Sequence, residues 1–309
     1  MTGNVGIVDI GSTSVQITVA QVRENTLTIL AKEKQIARLA DELDTEGCLS
    51  NRAVESLVET LRRLLKLGAS HNARVTITAT ATLRAAKNRQ EVIDRINTEL
   101  GTPIRLLSGS DEAKLVLSGV LFGHQHLRTK NVLALDVGGG STELITGVAS
   151  RAATVASVPI GALVVHQRWL GFRSPVTSDV RRTRRVVRAR FKNALRLSQS
   201  IEIDQLVGTG GTIQRLVRLH RGENLSSESL NGMTLSLTDL NACIDRLLRA
   251  KSPEGRRALS GIDADRADFL LGGALIFSEA IQALDATEIM VSTSALRTGM
   301  LTMTDDQQL

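Results

Sequence analysis

The stretch LALDVGGGSTELITG (133–147) sets an aspartate, Asp136, before three consecutive glycines and a glutamate, Glu143, seven residues beyond it. Bare backbone flanked by two carboxylates suits a phosphate-bearing ligand and its cation. Glycine leaves N–H groups unobstructed for phosphate oxygens, and hard oxygen ligands suit Mg2+, which keeps several waters and takes one or two carboxylates. On this stretch alone a hairpin turn with a charged rim serves equally well, with Asp136 merely closing its strand by bonding loop amides. Two further glycine loops favour phosphate: GSTS (Gly11, Ser12, Thr13, Ser14) and GTGGT (Gly208 to Thr212, with Gly210 and Gly211), beside Gly138, Gly139, Gly140, Ser141 and Thr142 of the first. VDIGSTSVQIT from Val8 lines up without a gap on LDVGGGSTELI from Leu135, so Asp9 matches Asp136 and Gln16 matches Glu143. Asp9 is then a third candidate for the metal.

Two side chains could act on a phosphoryl group. Arg84 in TATATLRAAKN lies just past an apolar Thr/Ala run, where a guanidinium can grip phosphate bidentately; an arginine there can equally be a plain surface residue. Glu112 in LLSGSDEAKL falls in the first turn of a helix, where the dipole favours the ionised form a general base needs. Acidic residues also decorate such turns with no further role. RRTRRVVRARFKNALR (181–196) holds eight basic residues and no acidic one. Arg181, Arg185, Arg188, Lys192 and Arg196 step along one helical face, a solvated surface or a track for a long polyanion.

The elements that would position these groups alternate. VGIVDIG, SVQITVAQV and TLTILAKEKQIARL read as strands, 50–67 as a helix, RVTITATAT as a buried strand and NRQEVIDRINTEL as a helix. PIRLLSG reads as a strand and SDEAKLVLSGVLF as a helix with Ser110 at its N-cap. Polar QHLRTKN (125–131) looks like the crossing into a second domain, giving 1–126 and 127–309. That half continues with the strand RAATVASVPI, a helix from 161, the basic helix near 178–199, and the strand and helix start of DQLVGTGGTIQRLVRL. A helix near 238–249, a long apolar helix over 264–284, the strand EIMVST and the closing helix ALRTGMLTM complete it. Two copies of one strand–loop–strand unit, each opening a mixed α/β half, imply two related domains facing one another.

The 309 residues carry 42% hydrophobic and 23% charged side chains, ordinary for a globular enzyme and far from a disordered chain. A net charge of +6 favours an anionic partner. With no Tyr, one Trp and five Phe, the chain lacks the aromatics that stack nucleic-acid bases, so a nucleic-acid partner is not expected. Cys48 and Cys243 stand far apart, which argues against a disulfide scaffold and a thiolate metal site. No signal-peptide pattern and no run of eighteen apolar residues occur, so the expectation is a cytoplasmic protein without a membrane partner.

DIGSTS, TATLR, SGSDEAKL, DVGGGSTEL, PIGA, GTGGT, RADFLLGGALI and ALRTGML occur in the order seen in the exopolyphosphatase / guanosine pentaphosphate phosphohydrolase family, and the chain resembles a short, two-domain member over essentially its whole length. The resemblance implies an α/β fold of two actin-like domains (the ribonuclease H-like, sugar kinase and heat-shock ATPase superfold) facing an interdomain cleft. It further implies that Glu112 activates water for in-line attack on a terminal phosphoryl group and that Arg84 binds that group. Asp136 and Glu143 would place Mg2+, with Mn2+ as the other option, and Gly138, Gly139 and Ser141 would cradle phosphate. Departures from the family pattern are Thr13 for Asn, Gln16 for a basic residue, Asp111 for Glu, Val164 for a basic residue and Thr298 for Glu; they bear on substrate grip more than on the chemistry. The expected substrate is inorganic polyphosphate. Hydrolysis of guanosine pentaphosphate (with ppGpp as a related ligand), or a non-catalytic sensor of either anion, stays open, as does a homodimer.

Overall fold

The computed structural model describes residues 3–23, 26–148, 151–171, 175–198, 201–262 and 267–302. Apolar alternation makes the first three strands, β1 (Asn4–Ile10), β2 (Ser14–Arg23) and β3 (Thr26–Ile36), an antiparallel meander that buries Val8, Ile10, Val15, Ile17 and Val19. On α1 (Asn51–Ser70) the buried stripe Val54, Leu57, Val58, Leu61 and Leu64 joins that core. Ser50 caps it, accepting from the Ala53 amide at 3.2 Å. β4 (Ala73–Ala79) returns parallel to β1, and α2 (Ala81–Ala85), α3 (Arg89–Leu100) and β5 (Ile104–Leu106) follow, giving the sheet order β3-β2-β1-β4-β5.

Two local expectations are corrected here. RVTITATAT does not run on as a strand to Thr82, because Thr80 donates its amide and its hydroxyl to the Ile10 carbonyl at 3.2 and 3.3 Å and turns the chain into α2, which carries Arg84. The helix of SDEAKL, α4 (Gly109–Gly123), is capped by Ser108 rather than Ser110: the Ser108 hydroxyl accepts the Asp111 amide at 3.1 Å and donates to the Asp111 carboxylate at 2.7 Å.

After a 3-10 turn at Gln125–Leu127 the plan repeats. β6 (Val132–Val137), β7 (Thr142–Val148) and β8 (Arg151–Val158) form a second antiparallel meander. α5 (Ala162–Val165) runs into a π-helical turn, His166–Leu170, before the basic helix α6 (Thr177–Ser198). β9 (Gln205–Thr209) lies parallel to β6 and leads into α7 (Gly210–Arg221). α8 (Ser227–Leu230), β10 (Thr234–Ser236), α9 (Leu237–Arg249), α10 (Pro253–Arg257), α11 (Leu270–Ala283), β11 (Glu288–Val291) and α12 (Leu296–Thr302) complete the described elements. Residues 264–266 of the expected apolar helix, and Met303 of the closing one, lie outside the described residues.

The second sheet is ordered β10-β11-β9-β6-β7-β8. Without the edge strand β10 it repeats the first: an antiparallel meander whose opening strand pairs in parallel with the strand that follows. The fold is α/β, two mixed sheets with helices. The chain divides into two compact units, Met1–Leu115 with Leu296–Leu309, and Val116–Ala295. The division falls within α4, ahead of the polar stretch at 125–131. The last helix joins the first unit, where Met300 and Leu301 share a core with Ile7, Ala20, Leu107 and Leu115. Among the described residues no helix is long and apolar enough to cross a membrane.

Candidate functional site

In the second unit the carboxylates of the glycine turn are cross-strand neighbours. Asp136, next to last in β6, stands opposite Glu143 on β7 and beside Thr209 on β9. Residues directly opposite share a face of the sheet, with Cβ atoms about 5 Å apart. Glu143 is buried and accepts from the Ser157 hydroxyl at 3.0 Å, Ser157 being its partner on β8.

The turn between them closes through Gly138 N–H donating to the Ser141 carbonyl at 3.0 Å. Its other carbonyls are held from α5: Ala162 N–H donates to Gly138, and the amides of Leu163 and Val164 both donate to Gly139, at 2.9–3.2 Å. A Cβ on Gly161 would overlap the carbonyls of Gly138 and Gly139, which is why PIGA needs its glycine. The hydrogen bonds that hold the turn therefore use the Gly138 amide and carbonyl groups, and do not consume the amides of Gly139 and Gly140 among the described residues.

GTGGT reaches the same place. Gly210 has φ +82°, and a Cβ there would sit 2.5 Å from Asp136 Oδ1, so the carboxylate lies against the start of α7. Thr212 ties that helix to the strand end, donating to the Val137 carbonyl at 3.0 Å. Gly211 uses its carbonyl to accept from Arg215 at 2.7 Å. Gly208 differs: it lies within β9, and its missing side chain makes room for Ile213 and Ile289 at 3.0 Å, a packing role. Asp136 and Glu143 thus form a pair of hard oxygen donors beside two glycine loops. Among the described residues no group of three or more His, Cys, Asp or Glu gathers. Two carboxylates suffice for Mg2+, which keeps waters for its remaining positions, so these residues fit the ion.

The first unit repeats the turn in detail. Gly11 N–H donates to the Ser14 carbonyl at 3.0 Å, and the Ser12 and Thr13 carbonyls accept from Ala40, Ala37 and Arg38. Thr13 is buried within it. Asp9 stands opposite Gln16 and beside Thr78. Here the expected metal ligand has a protein counter-ion: Arg297 of α12 reaches Asp9 Oδ2 through Nη1 at 3.2 Å. Asp9 Oδ1 is buried and has no hydrogen-bond partner among the described residues. Burial pushes the Asp9 carboxyl above the ordinary carboxylate range, a rise that Arg297 offsets only in part.

Arg84 and Glu112 come together at 3.3 Å, 28 residues apart in sequence. The same Arg84 Nη1 donates to the Leu107 carbonyl at 2.7 Å, so the guanidinium is fixed at the end of β5. The Ser108 cap starts α4 in the register that turns Glu112, mostly buried, toward it. Both groups lie at the carboxyl ends of β4 and β5, where open α/β sheets place their ligands.

On α6 the five expected cations, Arg181, Arg185, Arg188, Lys192 and Arg196, are all exposed. Arg188 is engaged, pairing with the buried Glu279 at 2.8 Å, and Arg184 holds the other oxygen of that carboxylate at 2.8 Å. The sequence patterns did not single out Arg297, Ser157 or Ser108. Arg297 had only one signal, its place in ALRTGML.

The sequence profile of the Ppx/GppA phosphatase family matches residues 18–307. Among curated proteins, exopolyphosphatase 1 of Mycobacterium tuberculosis (strain ATCC 25618 / H37Rv) is 28% identical over 301 residues, covering 96% of this chain and 86% of that protein. Exopolyphosphatase 1 of Mycobacterium leprae (strain TN) is also 28% identical, with 96% and 88% covered. Among solved structures, the Aquifex aeolicus Ppx/GppA family member matches with a TM-score of 0.84 at 26% identity, over 97% of this chain and 96% of that one. An exopolyphosphatase from Cytophaga hutchinsonii ATCC 33406 matches in fold with a TM-score of 0.86 at 24% identity, over 96% and 97%.

Proposed function

The chain belongs to the Ppx/GppA phosphatase family, and on that premise we propose that it is an exopolyphosphatase, releasing orthophosphate from the end of inorganic polyphosphate by attack of water. The observation that carries this is the Glu112–Arg84 pair at 3.3 Å, a carboxylate and a phosphate-gripping guanidinium brought together from separate elements. The first two relatives named above are called exopolyphosphatases, which supports the same substrate.

Glu112 takes a proton from water, and the resulting hydroxide attacks the terminal phosphorus in line. The bond to the bridging oxygen breaks, and the shortened chain leaves with that oxygen's electron pair. Arg84 exchanges part of its bond to Glu112 for oxygens of the terminal phosphoryl group, orienting it and offsetting its charge. Phosphoryl transfer needs mainly such positioning and neutralisation. Asp136 and Glu143 are the residues that would hold Mg2+, which supplies charge neutralisation on phosphate oxygens when bound. Within the second unit, the amides of Gly139 and Gly140 are neutral donors suited to phosphate oxygens, and the exposed cations of α6 suit a long polyanion.

The test is phosphate release from polyphosphates of several lengths and from guanosine pentaphosphate, with and without a chelator. Chelator-sensitive release from polyphosphate is expected. Release from the nucleotide alone, or binding of polyphosphate with no release, would overturn the assignment.

A further inference from the structure

Strand for strand, the first turn repeats the second, yet its charges differ. Asp9 faces the neutral Gln16 where Asp136 faces Glu143. The carboxylate at the first turn is balanced by Arg297, whose Nη1 lies 3.2 Å from Asp9 Oδ2. We propose that Arg297 does at the first turn what a divalent ion does at the second: it neutralises Asp9 and grips a phosphate oxygen of the bound chain, so that Asp9 is not a metal ligand.

Several observations converge on this. The position of Arg297 is built in, since Met300 and Leu301 are packed in the core with Ile7, and a Cβ on Gly299 would overlap the Leu115 carbonyl. A guanidinium has five N–H donors in a rigid fork, and among the described residues Asp9 is its one hydrogen-bond partner. The Arg297 side chain is 42% exposed while that of Asp9 is 13% exposed, so the free donors are on the accessible side of the pair. At Asp9 the negative charge is already met by Arg297, and its neighbours in the row, an amide and a hydroxyl, add no second carboxylate. The pair is neutral overall, yet a guanidinium that spends one N–H on the carboxylate keeps further N–H donors for charge-assisted hydrogen bonds to a phosphate.

The inference rests on the reading above only for the identity of the anion, and its test separates the two. Tripolyphosphate binding is measured by calorimetry on protein carrying Glu112→Gln, with and without Arg297→Ala or Arg297→Lys, and Mn2+ binding is counted by electron paramagnetic resonance. Losing one charge-assisted hydrogen bond should weaken tripolyphosphate binding about 10- to 100-fold in Arg297→Ala, with Arg297→Lys in between. In protein with Glu112 intact, KM should rise by a larger factor than kcat falls. Asp9→Asn should leave Mn2+ affinity as it was, while Glu143→Gln should abolish it. Tripolyphosphate affinity within twofold of the parent in a folded Arg297 variant would overturn the proposal. So would an Asp9→Asn protein that loses Mn2+ as Glu143→Gln does. Should Arg297→Ala fail to fold, Arg297→Lys and Arg297→Gln give the same readout. Tripolyphosphate that binds wild-type protein without being cleaved would sink the hydrolytic reading and leave this one standing.

Discussion

Across the end of β1 the row of paired residues runs Thr78, Asp9, Gln16, Lys34; across the end of β6 it runs Thr209, Asp136, Glu143, Ser157. The hydrogen bonds that close the two turns match to 3.0 Å each, from Gly11 to Ser14 and from Gly138 to Ser141. A threonine from the next parallel strand's turn fastens each one, Thr80 to Ile10 and Thr212 to Val137. Backbone is common to both and formal charge is not. One row combines an acid with a base and gains Arg297; the other holds two acids and two hydroxyls. Duplication has preserved a cradle, and substitution along one row of the sheet has changed its charge.

The largest effect expected tests whether the base and the metal belong to different halves. Glu112→Gln should lower phosphate release by about 10²- to 10⁴-fold while leaving Mn2+ affinity intact. Parallel loss of metal binding would show that the halves do not divide the labour this way. Next comes the residue behind the second turn. Ser157→Ala removes the donor to Glu143 and should weaken divalent binding about 10- to 100-fold, as losses of outer-shell partners do. Lys34→Ala, at the same place in the first row, should leave metal titrations where they were. Equal sensitivity at both positions would erase the contrast.

A smaller effect concerns how each turn is held. The second turn needs the bare Gly161, so Gly161→Ala should cost about 1–3 kcal/mol, read as a lowered melting temperature and weaker tripolyphosphate binding. The first turn is held by amides of Ala37, Arg38 and Ala40, side-chain-bearing residues, and makes no such demand. The smallest effect lies on α6. Lys192→Ala should reduce by about 1 the slope of long-chain polyphosphate affinity against salt, on a logarithmic scale, and do nothing to tripolyphosphate. An unchanged slope would remove the helix from substrate binding.

The repeat itself was legible because Asp, Gly and Ser recur at fixed spacing between apolar runs, and strands announce themselves by alternation. Glu112 and Arg84 could be named from local pattern, but not their meeting. That depends on β4 and β5 ending side by side, with Leu107 N–H donating to the Ala79 carbonyl at 2.9 Å. Ser110 stood in the more obvious capping place, and only the hydroxyl geometry shows Ser108 in that role. Gly208 carried the same motif as Gly210, yet one is a packing glycine and the other abuts a carboxylate. Periodicity along a chain cannot tell those apart. Arg188 was placed with its four neighbours by helical spacing alone, which is blind to the buried Glu279 some 91 residues on. Arg297 was least visible, since its one signal, the motif ALRTGML, says nothing of the carboxylate it meets 288 residues away.

The ion pair of Asp9 and Arg297 joins residues 288 positions apart. At typical translation speeds the aspartate emerges roughly 15–60 s before its arginine exists. Until then the carboxylate at the end of β1 lacks the counter-ion that the folded protein gives it.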